Sequence, residues 1–180
     1  KVDLHLAVLS KFPITKVSRL QLPLLNESWF RRLFNLKRAI MDIRFEVEGG
    51  SEFVALNTHL SAYAMDDGTP EKEIKMLLEH TEKLDDAGLP WILAGDFNHL
   101  PPGDDRKRLG NDPQGGAQFY SEITPVAKLL EKQRSAMDME EWKRNPALFN
   151  TYLPFKKDDN GQPIEALNVS DRVLDWMFVA

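Results

Sequence analysis

A layered α/β domain with one core is the architecture this sequence predicts, on three observations. Two runs flanking Gly49-Gly50 alternate with the two-residue period of a β-hairpin, and the stretch from Thr69 to Gly88 carries apolar residues at helical spacing. Short apolar runs, PWILAG and RVLDWMFVA, then follow with polar loops between them. The order strand, hairpin, helix, strand, helix, strand is that of a mixed sheet covered by helices. At 180 residues and 42% hydrophobic, with no linker, residues 1–180 read as a single domain with a sizeable core.

LHLAVLS, Leu4 to Ser10, reads as a strand ending at Lys11-Phe12-Pro13, and the segment from there to about Asn35 reads as irregular. In KRAIMDIRFEVEGG, Ile40, Asp42, Arg44 and Glu46 alternate with Ala39, Met41, Ile43, Phe45 and Val47. With EFVALNTHL after the glycines, this predicts a hairpin. In TPEKEIKMLLEHTEKLDDAG, Thr69 suits the cap and Pro70 the first helical position; Ile74, Leu77, Leu78 and Leu84 form one stripe, and Gly88 supplies the stop. PWILAG has the composition of a strand buried on both faces. A second helix is expected from Thr124 to about Met137, with Val126, Leu129, Leu130 and Met137 inward, and RVLDWMFVA is expected as a closing strand. The segments PPGDDRKRLGNDPQGGAQFYSE and KKDDNGQPIEALN read as loops, the first long enough to be of functional interest.

Composition narrows the chemistry. A net charge of −5 argues against a module that binds duplexes through a basic stripe, but not against an enzyme that meets phosphate through a cation. Without Cys, disulfides and thiolate–metal sites are excluded, so any metal would sit on oxygen or imidazole. No run of 18 apolar residues is present to span a membrane, and KVDLHLAVLSKFPI has Asp and His where a signal peptide needs an apolar core. The start at Lys1, without Met and in what reads as a strand already under way, suggests a piece of a longer chain.

Three strand endings carry most of the chemistry. Asn57 and His59 in NTHL lie two apart, as do Asp96 and Asn98 in GDFN, so each pair would share a face on a strand. Gly95 permits close approach of backbone or ligand. Asp175 sits between Leu174 and Trp176 in an otherwise apolar strand, where a carboxylate needs a partner or a metal. Each has an ordinary explanation alone: Asn57 bonding a neighbouring loop, His59 a structural histidine, Asp96 a turn, Asp175 an ion pair with Arg172 or Arg44. Arg106 to Arg108 reads chiefly as a solvated loop, with a phosphate contact the other reading, and His99 as structural.

Taken jointly, NTHL, then GDFN, then DWMFV, with HLAVLSKFPI and KRAIMDIRFE before them, resembles the endonuclease/exonuclease/phosphatase superfamily of deoxyribonuclease-I-like fold. The resemblance implies a four-layer αββα sandwich and a phosphoesterase dependent on Mg²⁺ or Mn²⁺. It implies that His59 contacts the scissile phosphate and that Asp96 orients or deprotonates the attacking water. It also implies that Asn98 stabilises a phosphate oxygen, that Asp175 orients a catalytic His or the metal, and that Asn57 lies beside the phosphate. Arg172 is a candidate phosphate or loop contact, and Asp96 and Asn98 are the candidate metal ligands. The implied substrates are phosphate esters: nucleic acid, phosphoinositide, phospholipid headgroup or nucleotide.

Two features of the family have no counterpart here. Its metal-binding Glu, on an early strand, is expected upstream of Lys1, and its Ser-Asp-His motif is expected after Ala180. Ser170-Asp171 is not that motif, because it precedes the Asp175 strand rather than following it. The expectation is therefore that strands are missing at both ends, that these residues alone lack normal activity, and that unpaired strand edges promote self-association. The competing expectation is a catalytically dead binding or regulatory module of the same fold.

Overall fold

The hairpin forms as its alternation predicts. In the computed structural model, which describes residues 5–25, 36–47, 49–62, 67–110, 115–158, 160, 163–166 and 170–180, β2 (Ala39–Glu46) and β3 (Glu52–His59) pair antiparallel, with Ile40 opposite Thr58 and Glu46 opposite Glu52. Gly49 and Gly50 have φ of 87° and 75°, the left-handed backbone that the reversal needs.

The strand expected before the hairpin is displaced. Residues 5–10 are not in a strand, and Lys1 to Leu4 lie outside the described residues; β1 is instead Ile14–Gln21, in the segment expected to be irregular. ITKVSRLQ carries β-branched residues and is free of Gly and Pro, and it completes the open edge of β2, with Val17 opposite Ile43 and Leu20 opposite Ile40. Residues 5–10, by contrast, precede Pro13, whose missing N–H and fixed φ interrupt a ladder. The aromatic stretch ESWFRRLF falls outside the described residues.

Helix α1 (Thr69–Asp86) crosses from β3 to β4 (Trp91–Asp96), making those strands parallel. Ile74, Leu77 and Leu84 are buried and Leu78 packs beside them, against Ile40, Val54, Leu56, Trp91 and Leu93. Thr69 is the first helical residue rather than the cap. The cap is Gly68, and Thr69 N–H and Oγ1 both donate to Asp67.

The second long helix does not form. Residues Ala127–Leu130 make one turn, α2, and Arg134–Ser135 instead form a short strand, β5. Val126 and Leu129 are still buried and Met137 still packs on the core, so the apolar pattern is satisfied by a turn followed by a strand. Gln133 fixes the change of direction by donating to Thr81 Oγ1 and Asp85 Oδ2 on α1. A further short helix, α3, spans Met139–Arg144 under an Asp138 cap. Part of the second expected loop is a two-stranded ribbon, β6 (Phe155–Lys157) and β7 (Pro163–Ala166).

The closing strand β8 (Asp175–Val179) pairs antiparallel with β4 and buries Trp176 and Phe178 on the helix side, and β5 lies on its other edge. The described residues thus form a mixed six-stranded sheet in the order β1-β2-β3-β4-β8-β5. Among them no helix is long and apolar enough to cross a membrane.

Candidate functional site

Two strand pairings bring three polar residues onto one rung. His59 is the Cα partner of Asp96 across β3/β4, and Asp96 is the partner of Asp175 across β4/β8. Because cross-strand partners point to the same side, all three face away from the side on which Val54, Leu56, Leu93, Trp176 and Phe178 pack beneath α1. His59 Nε2 lies 3.6 Å from Asp96 Oδ2, and both side chains remain about a third exposed (29% and 34%). Gly95, on the adjacent rung, allows this: an added Cβ there would lie 1.9 Å from Thr58 O, so the neighbour the glycine admits is the backbone of β3.

Asn98 reaches the site by another route than strand alternation. Strand β4 ends at Asp96, and Asn98 has φ 54°, a left-handed conformation that Asn tolerates. Its N–H donates to Asp96 Oδ1 at 2.9 Å and one Nδ2 hydrogen goes to Leu60 O at 3.0 Å. Among the described residues one amide hydrogen and the carboxamide oxygen have no partner and remain for a ligand. Flanking backbone bonds, Leu60 N–H to Asp96 O and Phe97 N–H to Leu174 O, lock the three strand ends together.

Electrostatics set the protonation states. Burial pushes Asp96 up to about 6, with the Asp175 carboxylate adding to the rise and the Asn98 N–H opposing it. Burial, reinforced by the Arg38 guanidinium, lowers His59 to about 4, so at neutral pH it is an uncharged imidazole with one N–H to donate. The carboxylate pair facing across β4 and β8 is a locus that positive charge would relieve. Asp96, Asp175 and the Asn98 carboxamide oxygen are hard donors suited to Mg²⁺ or Mn²⁺ by type. Among the described residues, no group of three or more His, Cys, Asp or Glu is arranged to hold a metal ion. The metal-binding Glu expected upstream of Lys1 has no counterpart among them, since they begin at His5 and leave Lys1 itself outside. Glu73 does not take its place, because both of its carboxylate oxygens are engaged by Ser61.

Other expected residues fall elsewhere. Asn57 shares the face of His59, but its Nδ2 donates to Ala7 O at 3.1 Å, the neighbouring-loop bond that is its ordinary explanation. Asp175 is exposed rather than buried, and neither arginine pairs with it: Arg44 bonds Asp42 and Glu52, and Arg172 bonds Asp171. Arg172 is itself buried (4% exposed), donating to Gly115 O and Tyr120 Oη and lying 4.8 Å over the Tyr152 ring. Arg172 thus pins loops together, the loop contact that is one of its two expected readings. Arg106 donates to Tyr120 O and Glu122, and Arg108 to Asp104 and Asp171 O, so both staple the loop. His99 is buried, with its carbonyl accepting from Trp176 Nε1, in keeping with a structural role.

Three contributors escape the sequence reading. Glu73, fully buried on α1, accepts from the Ser61 N–H and Oγ and so holds the turn just after His59. Thr151 Oγ1 accepts the N–H groups of Leu174 and Asp175, fixing where β8 begins. Arg38, at the entry to β2, has a buried Nη1 with no hydrogen-bond partner among the described residues, and Glu73 and Asp96 are its opposing charges. All three act across long sequence separations. Only the Lys37-Arg38 pair gives a local signal, as a basic step into a strand.

The sequence profile described as the endonuclease/exonuclease/phosphatase family matches residues 6–154. Among solved structures, the human nocturnin catalytic domain with bound sulfate is 16% identical, with a TM-score of 0.51 over 93% of this chain and 48% of that one. The mannosyl-6-phosphatase Bt3783 of Bacteroides thetaiotaomicron is 19% identical, with a TM-score of 0.50 over 94% of this chain and 53% of that one. TDP2 of D. rerio, complexed with a single-strand DNA product, is 12% identical, with a TM-score of 0.51 over 92% and 52%. The chain thus spans about half the length of these structures, whose likeness is one of fold. No curated protein matches the sequence significantly.

Proposed function

The chain belongs to the endonuclease/exonuclease/phosphatase family, and on that premise we propose that the His59–Asp96–Asp175 rung is the centre of a metal-dependent phosphoesterase. The observation that carries the reading is the alignment of these three residues across β3, β4 and β8, with His59 Nε2 and Asp96 Oδ2 3.6 Å apart. Asp96 serves as the base. With a pKa of about 6 it is largely ionised at neutral pH yet keeps a useful proton affinity, and the Asn98 N–H fixes its orientation. The water oxygen bonds to phosphorus, its proton passes to Asp96, and the P–O bond to the leaving alcohol breaks, the alkoxide taking a proton from solvent. His59, neutral, and the remaining Nδ2 hydrogen of Asn98 donate to the phosphoryl oxygens on which charge accumulates. Asp96 and Asn98, with Asp175 opposite, would hold Mg²⁺ or Mn²⁺. When bound, the ion supplies positive charge against that developing on the phosphoryl group.

The neighbours act on different phosphate esters, the Bacteroides enzyme being a mannosyl-6-phosphatase and TDP2 being held with a DNA product. The substrate class proposed here is accordingly a phosphate ester. Turnover of bis-p-nitrophenyl phosphate, DNA and an inositol phosphate by the full-length protein, with Mg²⁺ and with chelator, tests this. His59→Ala and Asp96→Asn are each expected to lower the Mg²⁺-supported rate by about 10²–10⁴. A rate indifferent to chelation, or to both substitutions, would overturn the reading, and binding without turnover would favour the regulatory module.

A further inference from the structure

A groove of about 350 Å³ opens beside His59, lined by His5, Val17, Arg19, Lys37, Arg38 and Met41 among others. It is small on the scale of ligand sites, of a size for one compact group rather than a duplex. Its charge is one-sided: two guanidiniums and one ammonium line it, and none of its lining residues among those described is acidic. In a chain of net charge −5 this is a local reversal of sign.

The Arg19 guanidinium is held in position before any ligand arrives. Arg19 Nη1 donates to Gln21 Oε1 at 3.0 Å and Nη2 to Lys37 O at 2.8 Å, which ties β1 to the approach to β2. Leu22 N–H and Gln21 Nε2 both donate to Arg38 O, at 3.0 and 2.6 Å, so the backbone that carries Arg38 is clamped from β1. The buried Nη1 of Arg38 nevertheless has no partner among the described residues. A buried guanidinium hydrogen left without an acceptor is costly.

We infer that this groove binds a second phosphate group of the substrate, separate from the phosphate attacked at His59 and Asp96. The inference rests on the phosphoesterase reading and narrows it to substrates carrying two phosphates, the first on the His59 rung and the second against Arg38 and Arg19. Arginine suits the role because its planar fork matches the oxygens of a phosphate.

Binding to the metal-free protein tests the groove independently of catalysis. Calorimetric titrations with inorganic pyrophosphate, fructose 1,6-bisphosphate and methyl phosphate, in chelator, compare the wild type with Arg19→Gln/Lys37→Gln and with Arg38→Gln. Both diphosphorylated ligands are expected to bind at least tenfold more tightly than methyl phosphate. The Arg19→Gln/Lys37→Gln protein, changed at exposed positions, is expected to lose most of that advantage while binding methyl phosphate as the wild type does. Where Arg38→Gln fails to fold, shifts of the Arg19 and Arg38 side-chain NMR signals on adding pyrophosphate to the wild type give the same information. Equal affinity for one and two phosphates, or an advantage that survives neutralisation of the groove, overturns the inference. A preference for pyrophosphate alone assigns the groove to adjacent phosphoryl groups, and a preference shared by the sugar bisphosphate assigns it to separated ones; either supports it. Failure of the phosphoesterase reading would appear instead as absent turnover with this binding preference intact.

Discussion

Gly95→Ala is expected to be among the most damaging small substitutions in this chain, although it enlarges the residue by one methyl group. Gly95 is the Cα partner of Thr58, and the new Cβ would sit 1.9 Å from Thr58 O, 2.8 Å from Thr58 C and 3.1 Å from Thr58 N. Ordinary contact begins near 3.4 Å, so β3 and β4 would have to part by about 1.5 Å at that rung, against a normal strand spacing of about 4.8 Å. The obstacle is backbone, so no rotamer change relieves it. Parting the strands sacrifices two or three ladder hydrogen bonds at about 1 kcal/mol each. Holding Ala at φ 154° adds a strain of about 1–3 kcal/mol. The sum is on the order of 4 kcal/mol, a large part of the roughly 5–15 kcal/mol that stabilises a domain. Gly88→Ala is the control: its φ is 64° but no atom lies within 4 Å of the added Cβ, so only the strain remains, about 1–2 kcal/mol. Urea unfolding of the three proteins measures the difference. A Gly95→Ala midpoint no lower than that of Gly88→Ala would refute the claim that the β3–β4 approach depends on this glycine.

Other predictions concern protonation and packing. In the metal-free protein the Asp96 carboxyl is expected to titrate near pH 6 by carbon NMR, and Asp175→Asn to lower the midpoint without restoring 3.8, because burial is the larger cause. A raised carboxyl pKa favours the protonated fold, so the stability tied to Asp96 is fully present below pH 3.8 and is lost as pH rises through 6. For His59, lowered to about 4, the corresponding stability is present above 6.5 and lost as pH falls through 4; unfolding followed from about pH 3 to 8 checks both signs. Glu73→Ala is expected to cost roughly 2–3 kcal/mol, since it strands the buried Ser61 N–H and hydroxyl, and hydrogen exchange at Ser61 should accelerate. Arg172→Ala is expected to lower stability by about 1–3 kcal/mol by leaving the buried acceptors Gly115 O and Tyr120 Oη without their donor. A loss of turnover at unchanged stability would instead favour Arg172 as a substrate contact.

Strand period and residue chemistry are encoded locally, and what they govern is legible in the sequence. The hairpin, α1, β4 and β8 follow from alternation, helical spacing and apolar runs, and the meeting of Asp96 with His59 follows from NTHL and GDFN. Elements decided by an open sheet edge are not legible: β1 and β5 exist because β2 and β8 offer unpaired backbone, and neither ITKVSRLQ nor RS signals this alone. The position of Asn98 is expected from alternation but depends on a left-handed turn. Arg172 has the charge for phosphate binding, yet two aromatic rings and three loops claim it. Glu73 and Thr151 bond across the fold and Arg38 meets Glu73 and Asp96 only as opposing charges, and no local pattern announces such partners.

The rung joins residues far apart in the chain, with Asp175 arriving 79 positions after Asp96. Closing a flexible connection costs entropy that grows only with the logarithm of its length, about 0.6 kcal/mol for each doubling. The exposed loops within the stretch between β4 and β8 can therefore gain or lose residues at little cost, provided that Val126, Leu129 and Trp142 keep their places in the core, that β5 stays paired with β8, and that Thr151 still meets the start of β8. The ladder keeps His59, Asp96 and Asp175 in register, while the exposed loops between its two late strands are free to vary around them.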